Sequence, residues 1–398
     1  MHYLQQIVNG FLKANRVKKI VQEETGFLKH IYERGLRSIQ LQITQDCNFK
    51  CRYCSYSFDN NVDRIHKHIN MSWKIAKKSI DFLFDHSKDA ENILISFYGG
   101  EPFLNFEVLK QSVEYAENLF QAKKVSFNLT TNCTILTGEI LDFIIKHRIF
   151  IMISLDGPQN IHDKHRVFRN SGKGTFQTVW KNVQKIREKD LNYFKSNVQF
   201  NSVMLFGEDK SVVEDFFSKN DIFPYAVHIG YADDSGMDYE YDYNLEFFQK
   251  SYEEQTKVLV ATANKEYDSV LSKKENIPER YHPRGICVPG ATRLLINVRG
   301  EFFPCEKVLE SEAVNIGNLS EGFNIKKAKK LFNLCQFVEE ECKNCWAIRF
   351  CGICAIHCVD VDKNVISKDV ICNNCIKKRK SIEIYIKNKL SERNFSNE

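Results

Sequence analysis

The chain of 398 residues contains no apolar run of about 18 residues, the length that a membrane-spanning helix needs. Its first residues, MHYLQQIVNGFLKANRVKKI, lack the apolar segment and the small-residue cleavage site of a secretory signal. The net charge is only +5, from 56 basic and 51 acidic residues, and so weak a bias does not indicate nucleic acid. We therefore expect a cytoplasmic protein without a membrane or nucleic-acid partner.

Cysteine is the residue in excess, with 14 in the chain and ten of them between Cys287 and Cys375. A disulfide framework would need an oxidising compartment, and nothing in the sequence indicates export. In a reducing compartment, dense C-x2-C pairs are more often ligands of metal ions or clusters. The composition is otherwise that of a globular protein, with 43% hydrophobic and 27% charged residues and a length sufficient for two or three domains.

Apolar segments alternate with helical segments in the first 230 residues. The six candidate strands are residues 39–44, 92–97, 124–129, 150–155, 197–205 and 224–229. This alternation predicts an α/β fold of parallel βαβ units with right-handed crossovers. Six units fit either a partial TIM-like (β/α)6 barrel or an open doubly wound sheet. In both architectures the chemistry lies at the carboxyl ends of the strands.

The loop after the first strand, CNFKCRYC, places Cys47, Cys51 and Cys54 in a C-x3-C-x2-C spacing, and the next cysteine is Cys133. Iron in a cubane cluster usually takes four thiolates, so three leave one iron open to a ligand that is not protein. A zinc site would normally be closed by four ligands, or would combine three ligands with water. The spacing therefore favours a cubane with one open position.

The second strand ends in YGGEP, residues 98–102. Gly99 and Gly100 allow the backbone to approach a ligand closely, and Glu101 offers an acceptor for an ammonium group. Together with the cysteine loop, this motif resembles the radical S-adenosylmethionine (SAM) superfamily, over about residues 38–230. The resemblance implies an enzyme with a [4Fe–4S] cluster that cleaves SAM to methionine and a 5′-deoxyadenosyl radical.

The resemblance also implies the roles of individual residues. It assigns the cluster, and with it catalysis, to Cys47, Cys51 and Cys54. It assigns SAM binding to Tyr53, Gly99, Gly100, Glu101, Pro102, Asn128, Thr130 and Arg166. Of these, Tyr53 lies near the adenine, the segment NLTTNC near the ribose, and Arg166 on the SAM carboxylate.

Two further polar residues of the stretch that contains Arg166, ISLDGPQNIHDKHR, carry no predicted role. We expect Asp156 to lie in a turn and His162 on the surface. Cys133 stands where the family usually has glycine, and we expect it to be a structural cysteine.

The segment TRLLINVRGEFFPC, residues 292–305, predicts a hairpin that turns at Arg299-Gly300. Around and after it, nine clustered cysteines exceed the needs of one zinc ion and suit two cubanes, or one cubane and a zinc. They are Cys287, Cys305, Cys342, Cys345, Cys351, Cys354, Cys358, Cys372 and Cys375. This region resembles the SPASM domain, and the resemblance implies two auxiliary [4Fe–4S] clusters.

The SPASM resemblance distributes these cysteines over two interleaved sites. One cluster takes Cys342, Cys345, Cys351 and either Cys372 or Cys375. The other takes Cys287, Cys305 and either Cys354 or Cys358, because the family spacing would put this ligand at Ala355. We expect Cys335 to be structural.

The chain is accordingly divided into five predicted segments: a helical lead-in (1–37), the radical SAM core (38–230), a connecting loop and helix (231–285), the SPASM domain (286–380) and a basic, polar tail (381–398).

The resemblance is nearest to radical SAM maturases of Cys-rich ribosomal peptides, which link a Cys sulfur to a carbon of another residue. It implies a Cys-containing precursor peptide as substrate and an external electron donor such as flavodoxin or ferredoxin. Two alternatives stay open. One is a sulfatase-maturating enzyme that oxidises Ser or Cys to formylglycine, and the other is a non-enzymatic scaffold whose cysteines bind zinc.

Overall fold

The computed structural model describes residues 17–54, 66–205, 208, 210–219, 227–231, 279–283 and 287–395. Most of the predicted connecting loop and helix, residues 232–278, lies outside this part of the chain.

The described strands and helices are numbered separately in chain order. The strands are β1 (Lys19–Ile20), β2 (Ser38–Thr44), β3 (Phe49–Cys51), β4 (Asn92–Gly99), β5 (Lys124–Thr131), β6 (Phe150–Ser154), β7 (Arg166–Phe168), β8 (Val198–Met204), β9 (Val227–Tyr231), β10 (Arg280–Tyr281), β11 (Leu294–Ile296), β12 (Glu301–Phe303), β13 (Gly317–Asn318), β14 (Gly322–Phe323), β15 (Val359–Asp360) and β16 (Val365–Ile366). The α-helices are α1 (Leu28–Arg34), α2 (Trp73–His86), α3 (Phe106–Leu119), α4 (Gly138–Lys146), α5 (Gln159–His165), α6 (Phe176–Lys189), α7 (Leu191–Asn197), α8 (Lys210–Lys219), α9 (Ile325–Phe332), α10 (Glu339–Lys343) and α11 (Lys368–Phe395).

One sheet organises the molecule, with the strand order β14-β13-β12-β11-β2-β4-β5-β6-β8-β9. From β2 to β9 every pair is parallel, and each strand lies beside the next strand of this series along the chain. A doubly wound sheet would instead reverse its strand order at a switch point. The order therefore separates the two predicted architectures and confirms the partial (β/α)6 barrel.

The first barrel strand shows why these segments form a two-sided sheet. Ile39, Leu41 and Ile43 alternate along β2 and are fully buried in the apolar core. Successive side chains of a strand point to opposite faces, so the intervening polar residues point to the other side of the sheet. Helix α2 follows the cysteine loop and is capped by Ser72, whose side chain accepts a hydrogen bond from the Ile75 amide.

The predicted hairpin is confirmed, and it continues the barrel sheet. Strands β11 and β12 are antiparallel, and Gly300 in the turn has φ +83°, a conformation that favours glycine. Strand β11 also pairs in parallel with β2, with Leu294 opposite Ile39. The Cys-rich half of the chain is therefore joined to the barrel by backbone hydrogen bonds.

An aromatic cluster fills this junction. Tyr32 of α1 stacks on Phe323 with ring centroids 4.1 Å apart, and Phe82 of α2 packs on Phe302 at 4.9 Å. Phe302 and Phe323 lie 5.4 Å apart. The Tyr32 hydroxyl donates to the Pro289 carbonyl at 2.7 Å, and burial raises the pKa of this phenol. Helices of the barrel and strands of the Cys-rich half thus share one core.

Both ends of the described chain cross the predicted segment boundaries. Strand β1 of the lead-in pairs in parallel with β10, so the lead-in contains a strand as well as the predicted helix. Helix α11 runs from Lys368 to Phe395 and passes through the predicted boundary at residue 380. The division into five segments stays a prediction. Within the described ranges, no helix combines the length and the apolar character needed to span a membrane.

Phe302→Ala tests whether the junction stabilises the fold. Phe302 is fully buried, so truncation is expected to lower the free energy of unfolding by about 3–5 kcal/mol through lost burial and a residual cavity. The measurement is the midpoint of denaturant unfolding. Phe27→Ala is the matched control, because Phe27 is 65% exposed and its removal should change stability little. Equal effects of the two substitutions would contradict the shared core.

Candidate functional site

The cysteine loop begins at the carboxyl end of β2 and is held by a short antiparallel ladder. Strand β3 pairs with β7, and this register places Cys51 opposite Arg166. Cys51 is buried, whereas Cys47 and Cys54 are partly exposed. The ladder thus ties the middle cysteine of the motif to the residue that sequence reasoning placed on the SAM carboxylate.

Nitrogen atoms surround the three sulfurs. The Phe49 amide donates to Cys47 Sγ at 3.4 Å, and Asn132 Nδ2 lies 3.9 Å from the same sulfur. Arg166 Nη1 lies 3.9 Å from Cys51 Sγ, and His66 Nε2 lies 3.8 Å from Cys54 Sγ. Polar groups that surround metal ligands in this way orient the ligands and adjust the reduction potential of the metal centre.

The environment of the three cysteine sulfurs is compatible with binding iron. Burial is the main cause that raises the pKa values of the Cys47 and Cys51 thiols. The neighbouring sulfurs raise them further. Iron deprotonates and binds such thiols, since metal ligation needs the thiolate. The loop therefore suits the iron–sulfur cluster that the sequence predicts.

The two glycines of YGGEP are required by the protein backbone itself. Gly99 has φ +133°, and a Cβ atom there would lie 1.9 Å from the Thr44 carbonyl oxygen. A Cβ at Gly100 would lie 1.9 Å from the Asp46 carbonyl oxygen. The prediction attributed these glycines to a ligand, but in the structure it is the cysteine-loop backbone that they approach.

Glu101 is fully buried in this arrangement and accepts three hydrogen bonds. Thr131 Oγ1 donates at 2.8 Å, the Asn132 amide at 2.7 Å and the Phe103 amide at 3.2 Å. Burial raises the pKa of Glu101 to about 7, although these hydrogen bonds act in the opposite direction.

Glu101 fits the predicted ammonium. Within the described ranges no cationic side chain pairs with its carboxylate, and an isolated buried carboxylate is unfavourable. A carboxylate has roughly four acceptor positions, so three donors leave room for one more. Pro102 is buried directly after it and opens the short 3-10 helix Pro102–Asn105.

Tyr53 and Arg166 meet at a residue that sequence reasoning missed. The Tyr53 hydroxyl donates to Asp156 Oδ2 at 2.5 Å, and Arg166 Nε donates to the same oxygen at 2.9 Å. His162 is fully buried, so the expectation that it lies on the surface was wrong. Asp156 lies in the segment between β6 and α5, but it is also fully buried, because its partners Tyr53 and Val203 come from distant parts of the chain.

Asn128 and Thr130, predicted near the ribose, line a cavity of about 260 Å³ in the barrel. Its lining includes Arg293 and Glu306 from the Cys-rich half. The residue of this strand end that reaches the cysteine loop is Asn132, which sequence reasoning did not select. The alternation of side chains along a strand could have identified Asn132, because residues 128, 130 and 132 lie on the same face of an extended strand.

Cys133 is buried with φ +58°, a left-handed conformation that glycine adopts more easily. This backbone conformation explains why the family usually has glycine at this position. The structural role that we expected agrees with its burial.

The Cys-rich half contains a second concentration of thiols. A cavity of about 90 Å³ is lined by Cys342, Cys345, Cys351, Cys372 and Cys375. Cys305 lies near Cys354, whose negative form raises the pKa of the Cys305 thiol in addition to the main effect of burial. Five cysteines thus line one cavity and Cys305 lies near Cys354, while the distribution of ligands over two clusters stays a prediction.

Comparisons with known proteins agree with this site. The radical SAM cyclopropyl synthase TigE of Paramaledivibacter caminithermalis is 24% identical over 272 residues, covering 61% of this chain and 53% of TigE. The cysteine-type anaerobic sulfatase-maturating enzyme of Clostridium novyi is 24% identical over 326 residues, covering 76% of this chain and 83% of that enzyme. This chain therefore spans about half the length of TigE but most of the sulfatase-maturating enzyme.

Among solved structures, native anSMEcpe with bound AdoMet and Cp18Cys peptide superposes with a TM-score of 0.58 at 19% identity. The superposition covers 91% of this chain and 99% of that one, and at this identity it establishes the fold. The sequence profile of the radical SAM superfamily matches residues 41–219, which include the cysteine loop, YGGEP and Arg166. These residues therefore form a radical SAM domain, and the related maturases indicate that the chain is an enzyme.

Proposed function

We propose that this enzyme cleaves SAM reductively and modifies a ribosomally made, Cys-containing peptide by forming thioether cross-links. The observation that carries the proposal is the barrel cavity of about 260 Å³. Asn128 and Thr130 line it on the barrel side, and Glu306, next to Cys305, lines it on the side of the Cys-rich half. A peptide side chain in this cavity would therefore contact Asn128 and Thr130, the predicted SAM-binding residues of β5, on one side and the neighbour of Cys305 on the other.

In the radical SAM site, Cys47, Cys51 and Cys54 hold the cluster, and Glu101 accepts the ammonium of SAM. The chemistry that the bound groups supply is one-electron cleavage of SAM to methionine and a 5′-deoxyadenosyl radical. Burial of Glu101 strengthens its pairing with a cation, because charges interact more strongly where water is excluded. Arg166 is proposed to bind the SAM carboxylate and Tyr53 to contact the adenine.

Cross-linking removes one hydrogen atom from the acceptor carbon and one proton from the Cys thiol. The remaining electron leaves the peptide as the carbon–sulfur bond forms, and an oxidised centre in the chain has to accept it. Auxiliary clusters in the Cys-rich half would serve this purpose, and an external donor such as flavodoxin or ferredoxin would supply the electron that starts each cycle. TigE is named for cyclopropyl formation and the Clostridium novyi enzyme for the maturation of a sulfatase, and together these relationships support modification of a peptide or protein in general.

For the first auxiliary site we propose Cys287, Cys305 and Cys354 as ligands. Cys354 precedes the 3-10 helix Ala355–His357 in an extended conformation, and it lies near Cys305. The Cys358 thiol is fully buried and donates back to the Cys354 carbonyl at 3.0 Å. Cys358 therefore has an internal partner and points into the turn.

For the second auxiliary site we propose Cys342, Cys345, Cys351 and Cys375. Burial raises the pKa of the Cys375 thiol to about 12, and the nearby sulfurs of the other three add to this shift. Cys375 is thus close to all three proposed partners. Cys372 lines the same cavity one helical turn earlier and is not assigned as a ligand.

The second candidate function is oxidation of a Ser or Cys residue to formylglycine. The relationship to the Clostridium novyi enzyme favours it, because that alignment covers 83% of the relative and 76% of this chain. Both candidates share the SAM site and differ in what enters the barrel cavity.

SAM cleavage is tested first with anaerobically reconstituted, reduced enzyme. Release of 5′-deoxyadenosine, measured by liquid chromatography, is expected from the wild type. It should be lost in Cys51→Ala, because the cluster needs all three thiolates. Cys133→Ser is the control outside the cluster loop. A wild type with intact clusters that releases no 5′-deoxyadenosine would sink the proposal.

The peptide is identified by co-expression with neighbouring short open reading frames and mass spectrometry. A thioether-forming enzyme should remove two hydrogens and one alkylatable thiol per cross-link. Formylglycine formation from Cys would instead replace sulfur and two hydrogens by one oxygen. An unmodified Cys-rich peptide together with a modified sulfatase would favour the second candidate.

Glu101→Gln tests the ammonium site. The substitution keeps the shape but removes the charge, so the dissociation constant for SAM should rise roughly 10- to 100-fold, as for loss of a charged hydrogen bond. Equilibrium dialysis of the reconstituted enzyme measures it. Glu107→Gln, an exposed residue of α3, is the matched control. Unchanged SAM affinity in Glu101→Gln would contradict the assignment.

Iron counts of four single alanine variants test the auxiliary ligands. Cys354→Ala and Cys375→Ala should each lose up to about four irons per chain, the content of one cubane. Cys358→Ala and Cys372→Ala should retain them. Cys358→Ala is the matched control for Cys354→Ala, and Cys372→Ala is the matched control for Cys375→Ala. The reverse pattern in either pair would exchange the assignment for that site.

A further inference from the structure

Asp156 lies two residues after β6, at the end of the barrel where the cysteine loop begins. Its carboxylate is fully buried, and both oxygens are used. Oδ2 accepts from the Tyr53 hydroxyl at 2.5 Å and from Arg166 Nε at 2.9 Å. Oδ1 accepts from the Val203 amide of β8 at 3.1 Å. One side chain therefore joins two barrel strands to two residues of the proposed SAM site.

The backbone of Asp156 is held as firmly as its side chain. Its amide donates to His162 Nδ1 at 3.2 Å, and its carbonyl accepts from Ser202 Oγ at 3.1 Å. Because Nδ1 accepts, the proton of the neutral His162 ring is assigned to Nε2, which lies 2.9 Å from Thr175 Oγ1. Thr175 Oγ1 in turn donates to the Arg166 carbonyl at 3.0 Å. The same buried network thus fixes both Asp156 and the backbone of its partner.

This network determines which part of the Arg166 guanidinium is available. Nε is bound to Asp156, and Nη1 points towards Cys51 Sγ at 3.9 Å. The guanidinium carbon lies 5.3 Å from the centre of the Tyr53 ring. Within the part of the chain that is described, Nη2 has no partner. Arginine presents its donors in a rigid plane, so fixing Nε and Nη1 also fixes the direction of Nη2.

We infer that Asp156 is a positioning residue for SAM, which holds Arg166 and Tyr53 so that Nη2 and the phenol ring face the cofactor while Nη1 faces the cluster ligand Cys51. The inference rests on the proposed SAM cleavage and adds a residue that itself need not touch SAM. It gives the buried acid a role beyond neutralising Arg166. Loss of the carboxylate should disturb two contacts to SAM at once.

Asp156→Asn is the direct test, in reconstituted full-length enzyme. The amide NH2 cannot accept from Tyr53 and Arg166 as the carboxylate does, so the dissociation constant for SAM is expected to rise about tenfold or more. The EPR spectrum of the reduced cluster is recorded with and without SAM. In the variant, the spectral change that SAM causes should be altered even at saturating SAM, which a merely structural defect with normal iron content would not produce.

Asp190→Asn is the matched control. Asp190 caps helix α7, and its carboxylate accepts from the Tyr193 amide at 2.9 Å. It takes no part in the network of Asp156, His162, Thr175 and Arg166. This control should retain the wild-type SAM affinity and SAM-dependent EPR change.

Tyr53→Phe decides the outcome if Asp156→Asn does not fold or loses its cluster iron. It removes one hydroxyl from the network and is expected to weaken SAM binding about threefold or more, as for loss of one hydrogen bond. Wild-type SAM affinity and spectra in Tyr53→Phe would then overturn the inference. So would a folded Asp156→Asn that behaves like Asp190→Asn. If the wild type itself neither binds nor cleaves SAM, the proposed function fails instead, and the two failures are distinguishable.

Discussion

Two backbone hydrogen bonds join the carboxyl ends of the first two barrel strands. The Gly100 amide donates to the Thr44 carbonyl at 3.0 Å, and the Glu101 amide donates to the Asp46 carbonyl at 2.8 Å. They can form because residues 99 and 100 have no Cβ atoms, which would collide with the opposing carbonyl oxygens. The contact sets the cysteine loop directly against the buried carboxylate of Glu101. The cluster ligands and the proposed ammonium site therefore form one rigid unit, in which neither can move without the other.

The Cys-rich half depends on the same sheet. Its hairpin extends the barrel through β2, the strand that leads into the cysteine loop. The aromatic rings of Tyr32, Phe82, Phe302 and Phe323 then fill the space between the two halves. A continuous sheet with a common core resists relative movement, unlike two domains joined by a linker. An electron exchanged between the proposed cluster sites would consequently travel through a fixed framework.

Local periodicity accounts for what the sequence predicted well. The predicted strands agree with the described ones within a few residues, because apolar and polar residue types alternate clearly along β2. Short or long-range features were not predictable in this way. Strands β3 and β7 have three residues each and pair across more than a hundred positions of the chain. The burial of Asp156 has the same origin, since its partners Tyr53 and Val203 lie far from it in the sequence.

Spacing along the chain also could not distinguish Cys354 from Cys358, or Cys372 from Cys375, as cluster ligands. The spacing placed a ligand at Ala355 and left its two flanking cysteines equivalent, but the backbone makes them different. Cys354 is extended, with φ −134° and ψ 157°, before the turn begins, whereas Cys358 closes the turn and hydrogen-bonds within it. Cys372 and Cys375 share one helix face three residues apart, yet the sulfur of Cys375 interacts with all three partners of the second site. The conformation that carries each thiol, more than its distance along the chain, therefore determines which cysteine is available to a cluster.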